Sequence, residues 1–532
     1  MRLMTLAVLL AVSANAVIAR AADAPAAPAK QPNILYIMTD DHAAHAMSCY
    51  GSVVNKTPNM DRLAADGVRF DRFFVTNSIC TPSRATMLTG QYSHINGVTV
   101  FNSIDPNRPN LAKYLKAGGY YTGVIGKWHL GSEPTGFDHW TILPGQGVYN
   151  DPAFLTPEGR KVIKGYVTEI TTDLGIKFLE DRPKDKPFFL MFHQKAPHRP
   201  WEPSAKYAEE FRKKVIPEPP TLYDDYATRT DAIKANRQRV FDDLTRRDLK
   251  LEPPTNLPPG PQRQQWYNTK PTEVDTVIDG KPVHLTGDAL NKWKYQRYMQ
   301  DYLACVQSVD DSIGTMLEYL DKHGLRDNTI VVYTSDQGFY LGDHGLYDKR
   351  FMYEPSFKTP LLVRWPGVAK PGTVATAICG NQDFAPTFLA AAGLPVPADM
   401  QGRSFIPVLK GEVPADWRKS YYYRYYHDPG DHNTAQHYGV RTETHKLIHF
   451  WKKDQWELFD LTKDPNELKN VYDDPAYAKV REELKKEIAR LKVELKDEDQ
   501  FTKEPPKDSV DAPVRPRQNQ GGGAGAKKQA EK

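Results

Sequence analysis

Four apolar runs rich in β-branched and aromatic residues break off at charged or polar residues, and a fifth run shares their composition. Asn33-Ile34-Leu35-Tyr36-Ile37-Met38 leads into Asp40-Asp41-His42, and Tyr121-Thr122-Gly123-Val124-Ile125 leads into Lys127-Trp128-His129. Pro187-Phe188-Phe189-Leu190-Met191-Phe192 precedes His193 and His198, Thr329-Ile330-Val331-Val332-Tyr333 ends at Asp336-Gln337, and Pro360-Leu361-Leu362-Val363 completes the set. Unbroken apolar runs of this length fit strands covered on both faces, as in a parallel sheet with helices on each side. Between them the spacing becomes helical: one helix spans about 166–179, and another places Tyr302, Val306, Val309, Ile313, Met316 and Leu320 on a single face. In open α/β sheets, ligands bind beyond the carboxyl ends of the strands, which is where these polar clusters fall. Each cluster also has a plainer reading. An Asp pair after a strand caps a helix, a lone His129 or His198 is a surface or satisfied core residue, and Lys127 or Lys349 is solvated. Their convergence on one edge favours a shared site.

The aromatic run at 421–426 reads as a strand of a smaller C-terminal unit, and residues 205–295, rich in Pro, Arg and Asp without clear periodicity, read as a long insertion. The two ends differ from the middle. Arg2, an apolar run over 3–12 and then small residues have the layout of a secretory signal, with small-x-small cleavage points at Ala14-Asn15-Ala16 and Ala19-Arg20-Ala21. Residues 1–21 are therefore expected to be a signal peptide, and the protein to be exported, periplasmic or secreted. No stretch approaches the ~20 apolar residues needed to cross a bilayer, so no membrane span is expected. Pro, Gly, Gln and Lys dominate 501–532, which reads as a disordered tail. The main unit should then occupy 31–410 and the C-terminal subdomain 411–500. Over 532 residues, 70 basic and 66 acidic side chains leave a net charge of only +4, so nothing suggests a nucleic-acid partner. Four cysteines, at 49, 80, 305 and 379, are too few for a disulfide scaffold and none has a C-x-x-C partner, so any cysteine function rests on one residue.

That residue is Cys80, in Cys80-Thr81-Pro82-Ser83-Arg84-Ala85-Thr86-Met87-Leu88-Thr89-Gly90. Pro82 fits the first turn of a helix, which puts Cys80 at the N-terminal end, where dipole and free amides favour anions. Arg84 can return along that turn toward the same anion. Taken alone, the cysteine also reads as a buried structural residue. The stretch resembles the signature of the type I, formylglycine-dependent sulfatases. So do, in the family's order, Thr39-Asp40-Asp41-His42, Gly126-Lys127-Trp128-His129-Leu130-Gly131, Ala196-Pro197-His198-Arg199-Pro200-Trp201, Ser335-Asp336-Gln337-Gly338 and Asp348-Lys349-Arg350-Phe351-Met352-Tyr353-Glu354. The resemblance covers 33 to about 410, and Trp456-Glu457-Leu458-Phe459-Asp460 resembles the family's smaller C-terminal subdomain. It implies an α/β, alkaline-phosphatase-like sandwich: a large, mainly parallel sheet covered by helices, plus an α+β subdomain with an antiparallel sheet.

The resemblance further implies that a formylglycine-generating or equivalent maturation enzyme converts Cys80 to formylglycine (3-oxoalanine), whose hydrated aldehyde is the nucleophile. Asp40, Asp41, Asp336 and Gln337, with an oxygen on modified Cys80, would hold a calcium ion, a hard cation suited to oxygen ligands. Gln337 stands where the family more commonly has Asn or His, and its carbonyl oxygen can still ligate calcium. Arg84, Lys127 and Lys349 would be the fixed positive groups around the sulfate oxygens. His129 would assist the nucleophile and the release of sulfate, and His198 would protonate the leaving alcohol.

The Pro197-His198-Arg199-Pro200-Trp201 segment, with Asp348-Lys349-Arg350 and Tyr353-Glu354, resembles the branch containing N-acetylglucosamine-6-sulfatases, so a sulfated carbohydrate is the expected substrate. Trp201 offers a stacking face, and Asp343, His344, His427, His437 and Arg441 are polar candidates for hydroxyls or a uronate carboxylate. Two rival functions are a phosphonate monoester or phosphodiester hydrolase on the same fold, and an unmodified, inactive homologue that binds sulfated glycans.

Overall fold

The computed structural model describes residues 31–278, 280–504 and 506–510, so the expected signal peptide lies outside the described residues. All five apolar runs are strands of one ten-stranded sheet. At its centre Asn33–Thr39 lies between Thr329–Ser335 and Phe188–His193, and beyond the latter come Tyr121–Lys127 and His139–Leu143, every neighbour parallel. The flanks turn antiparallel: Leu361–Arg364 runs against Thr329–Ser335, and Ala153–Thr156 and Gly159–Val162 extend the other edge. Asn33–Thr39, Phe188–His193 and Thr329–Ser335 are buried along their whole length, which is why their sequences carry no alternating polar face.

Helices supply the cover. Val167–Asp181 and the 36-residue Gly287–Lys322 pack on one face, with the whole predicted stripe from Tyr302 to Leu320 buried. Cys80–Thr89, Leu111–Ala117 and Phe384–Ala391 pack on the other. The stretch expected to be an insertion over 205–295 ends earlier than that, because Gly287–Lys322 already begins within it. The remainder lacks periodicity because it is made of helices four to eight residues long and one hairpin, Val274–Ile278 with Lys281–Leu285.

The C-terminal unit is a four-stranded antiparallel sheet, Ser420–Tyr425, His437–Thr442, His445–Phe450 and Gln455–Asp460, in sequence order. Helix Ala478–Leu495 lays Leu484, Ile488, Leu491 and Leu495 on it. Each of these side chains contributes roughly 1.5–3 kcal/mol when fully buried. The other face of the sheet, through Tyr421, Tyr423 and Tyr425, packs on the main unit.

Of the tail expected over 501–532, residues 506–510 pack against the main unit, and 511–532 lie outside the described residues. Ser509 N and Val510 N donate to Phe101 O at 2.7 and 3.0 Å, and Val510 is buried. Composition could not show this, because the partners lie far back in the chain. Among the described residues no helix is long and apolar enough to cross a membrane.

Candidate active site

Parallel pairing brings the polar clusters together. Thr39 is the register partner of Ser335, so Asp40-Asp41 and Asp336-Gln337 leave adjacent strands side by side. Lys127 ends the next strand but one, and His129 follows in a left-handed conformation, φ 52°. Gly126 permits the exit: its φ is +94°, and a Cβ there would meet His193 O at 1.9 Å. Cys80 opens helix Cys80–Thr89, whose N-cap, Ile79, is extended and makes no side-chain cap bond. The dipole and free amides of that end are thus left to an anion.

Ligand oxygens of Asp40, Asp41 and Asp336 lie within 4.8 Å of one another, all three side chains being buried. Asp40 Oδ1 and Gln337 Oε1 are buried without a hydrogen-bond partner, while Gln337 Nε2 donates to Asp41 Oδ1. Three clustered carboxylates, with the Gln337 amide beside Asp41, are donor types that suit a hard divalent cation such as calcium. Their acidities record the crowding. Burial pushes Asp41 up to about 7, with Lys349 opposing and Asp40, Asp336 and Asp348 adding. Burial and Asp40 push Asp336 up to about 6 against Arg84. Asp40, despite its burial, is held well below the usual carboxylate range by Lys127, His198, Arg84 and Lys349.

The cations interleave with these acids. Arg84 donates through Nε (3.0 Å) and Nη2 (2.8 Å) to Asp336 Oδ2 and through Nη1 to Lys127 O (2.7 Å). Lys127 bonds Asp40 and reaches Gln146 Oε1 at 2.5 Å; Lys349 bonds Asp41. His129 Nδ1 is 3.2 Å from Thr81 Oγ1, next to Cys80. His198 is held by Nδ1 at 2.6 Å from Arg199 O and by Tyr149 OH at 2.5 Å from its carbonyl, leaving Nε2 3.7 Å from Asp41 Oδ2. Burial and Lys127, with Lys349 and Lys195, push His198 well below the usual histidine range against Asp40.

Above them opens a pocket of about 560 Å³, lined by Cys80, Asp41, His198 and Lys349. Its remaining walls include residues that the sequence reading did not select as substrate contacts: Gln146, Arg199, Asp348, Arg350, Asp431 and His432. Arg350 pairs with Asp348 (2.7 Å) and Asp431 (3.0 Å), and His432 Nε2 is 2.7 Å from Asp348 Oδ2. Asp348 and Arg350 flank Lys349 in sequence, and Gln146 sits in the loop after a parallel strand, so both carried a usable signal. Asp431 and His432 carried none.

The selected substrate residues fare differently. Trp201 is 0% exposed, among the rings of Tyr298, Phe339 and Tyr347, and offers no sugar a face. His437 is likewise buried, stacked between Phe351, Tyr423 and Tyr425, with Nδ1 on Ala435 O. Arg441 pairs with Glu354 at 3.3 Å, outside the pocket walls. Asp343 and His344 line a separate cavity of about 350 Å³ and pair with His45 and Asp224. His427 is not itself a pocket wall and meets two wall residues, Asp508 at 3.0 Å from Nε2 and the ring of Phe101.

Comparison with known proteins gives a consistent picture. The Sulfatase family model matches residues 32–394, and a second model, N-sulphoglucosamine sulphohydrolase, C-terminal, matches 342–494. An N-acetylglucosamine-6-O-sulfatase of Bacteroides thetaiotaomicron is 47% identical over 494 residues, covering 89% of this chain and 88% of that protein. A solved structure described as in complex with its substrate, D-glucosamine-2-N,6-O-disulfate, superposes with TM-score 0.82 at 45% identity, over 88% of this chain and 99% of that one. A phosphonate monoester hydrolase from Silicibacter pomeroyi shares the fold, at TM-score 0.65 and 23% identity, over 87% and 95% of the two chains.

Proposed function

Since this chain belongs to the sulfatase family, and is accordingly a sulfuric ester hydrolase, we propose that it removes the 6-O-sulfate of a glucosamine-type sugar after export from the cytoplasm. The observation that carries this reading is the pocket of about 560 Å³ with Cys80 among its walls beside Lys349 and His198. The 47% identical relative named N-acetylglucosamine-6-O-sulfatase supports the choice of sugar.

Burial, with Asp40, pushes the Cys80 thiol well above its usual range, so as a thiol it stays protonated and inert at neutral pH. An unmodified thiol would therefore be a poor nucleophile here, and conversion to formylglycine by a maturation enzyme would replace it with an oxygen nucleophile. The hydrated aldehyde would supply the nucleophilic oxygen, and Asp40, Asp41, Asp336 and Gln337 would hold a calcium ion that would supply positive charge for the sulfate oxygens. The chain's own residues do the rest. Arg84, anchored at three points, presents a charge that need not reorganise during the reaction, the source of most electrostatic catalysis. Lys349 faces the pocket directly. His198 donates through Nδ1 to Arg199 O, which leaves Nε2 to carry the proton for the departing sugar oxygen. Burial and the neighbouring lysines oppose that proton, and the negative charge of a bound sulfate ester would favour it.

Parallel assays of sulfated saccharides and phosphate diesters, with the mass of the tryptic peptide around Cys80, test the reading. The expected result is sulfate release from 6-O-sulfated glucosamine by a chain with converted Cys80. Faster phosphodiester turnover would replace the sulfate reading, and an intact thiol with no turnover would indicate a glycan-binding homologue.

A further inference from the structure

Two wall residues of the active-site pocket, Asp508 and Ser509, come from the last described stretch of the chain, and the chemistry derived above does not use them. Their segment is firmly fastened. Asp508 Oδ1 accepts from Phe101 N at 3.1 Å, and Ser509 N and Val510 N both donate to Phe101 O at 2.7 and 3.0 Å. Ser509 Oγ accepts from Ser103 N and meets Ser103 Oγ, each at 3.0 Å. From the C-terminal unit, His427 Nε2 stands 3.0 Å from Asp508 Oδ1. Both backbone polar groups of Phe101 are thus taken up by this one segment. The Phe101 ring lines the pocket beside Cys80, its centroid 5.8 Å from the His129 ring and 5.5 Å from the His427 ring.

We propose that residues 506–510, acting through Phe101, are a working wall of the active site that bounds the space for the alcohol part of the ester and so sets the enzyme's preference for a sugar over a small leaving group. The proposal rests on the reading that the pocket takes a sulfated sugar. Two arguments carry it. Without the segment, the Phe101 N–H and C=O lose their partners and the loop regains conformational freedom, so the ring no longer presents a fixed surface. The segment also adds a carboxylate to the outer wall: Asp508, 59% exposed at the side chain, can accept from the hydroxyl groups of a sugar, which a small aryl group does not carry.

Three chain lengths test this: full length, ending at Val510, and ending at Glu504. The chain ending at Val510 should match full length on every ester. The chain ending at Glu504 should lose about tenfold or more in kcat/KM on the sugar sulfate, chiefly through KM, while changing by less than about threefold on a small aryl sulfate. In the full chain, Asp508→Ala should show part of that loss, and Asp508→Asn, which keeps an acceptor for the Phe101 N–H, should restore it. These point variants decide the matter if the shortened chain does not fold. Equal kinetics of the Glu504-ending and full chains overturns the proposal, as does an equal loss on both esters. A wrong substrate class shows instead as inactivity of the full chain on sugar sulfates. The same comparison then runs on the bulkiest ester that the full chain hydrolyses, and equality of the two lengths there overturns the wall alone.

Discussion

His198 is gripped through its backbone carbonyl by Tyr149 and through Nδ1 by Arg199 O, so only Nε2 is left for chemistry. A positioned acid matters most for a basic sugar alkoxide and little for an acidic phenol, so His198→Ala should cost ~10² to 10⁴ in kcat on a sulfated sugar and far less on nitrophenyl sulfate. Equal losses on both would assign His198 to sulfate binding instead. His437 shows the opposite fate of a histidine. Burial pushes it down to about 4, inside a ring of aromatic side chains. The unfolded chain takes up a proton below about pH 6.5 that folded His437 refuses. The stability it contributes is therefore complete above pH 6.5 and is lost as the pH falls toward 4, on the order of 3 kcal/mol in all. His437→Phe should shrink the fall in thermal midpoint between pH 7 and pH 5, and an unchanged fall would refute this account. Both histidines look alike in the sequence. Six consecutive residues around His198 resemble a family block, whereas nothing beside His437 or Trp201 reveals the distant rings, such as Tyr298 and Phe450, that bury them.

Strands and long helices were legible because their burial is continuous: Asn33–Thr39 and Thr329–Ser335 are covered on both faces, and the Tyr302–Leu320 stripe repeats at helical spacing. The short helices between 205 and 267 bury too few positions each to leave a period. At the carboxyl end of the Tyr121–Lys127 strand, Gly126 couples the element to the site. A methyl group there would meet a carbonyl at 1.9 Å in a left-handed backbone, one residue before Lys127. Gly126→Ala should therefore destabilise the fold by at least about 2 kcal/mol and also lower kcat by displacing Lys127. Denaturant titration alongside kinetics checks it; a stable variant with full activity would mean that the strand tolerates the shift.

The parallel centre of the sheet delivers Asp40, Asp41, Asp336, Gln337, Lys127 and His198 to one edge, while helix Cys80–Thr89 brings Cys80 and Arg84 from one face and segments from the C-terminal unit close the pocket. The edge was legible from strand-end chemistry. The closure by Asp431, His432 and Asp508 was not, because it depends on how the second unit docks. An ion bound only to the native state at 100 times its dissociation constant adds about 2.7 kcal/mol, so a cation held by the three buried carboxylates would stabilise the whole fold. Chelation should accordingly lower both activity and thermal midpoint, and calcium should restore both; a chelated protein unchanged in both would remove the metal from the account. The most direct measurement is release of inorganic sulfate from N-acetylglucosamine 6-sulfate by the matured wild type and by a homogeneous Cys80→Ala variant of equal thermal midpoint. Turnover by the first and none by the second is the expected result. Turnover retained by Cys80→Ala, or a wild type inert on the 6-sulfate yet active on another sulfated isomer, would contradict it.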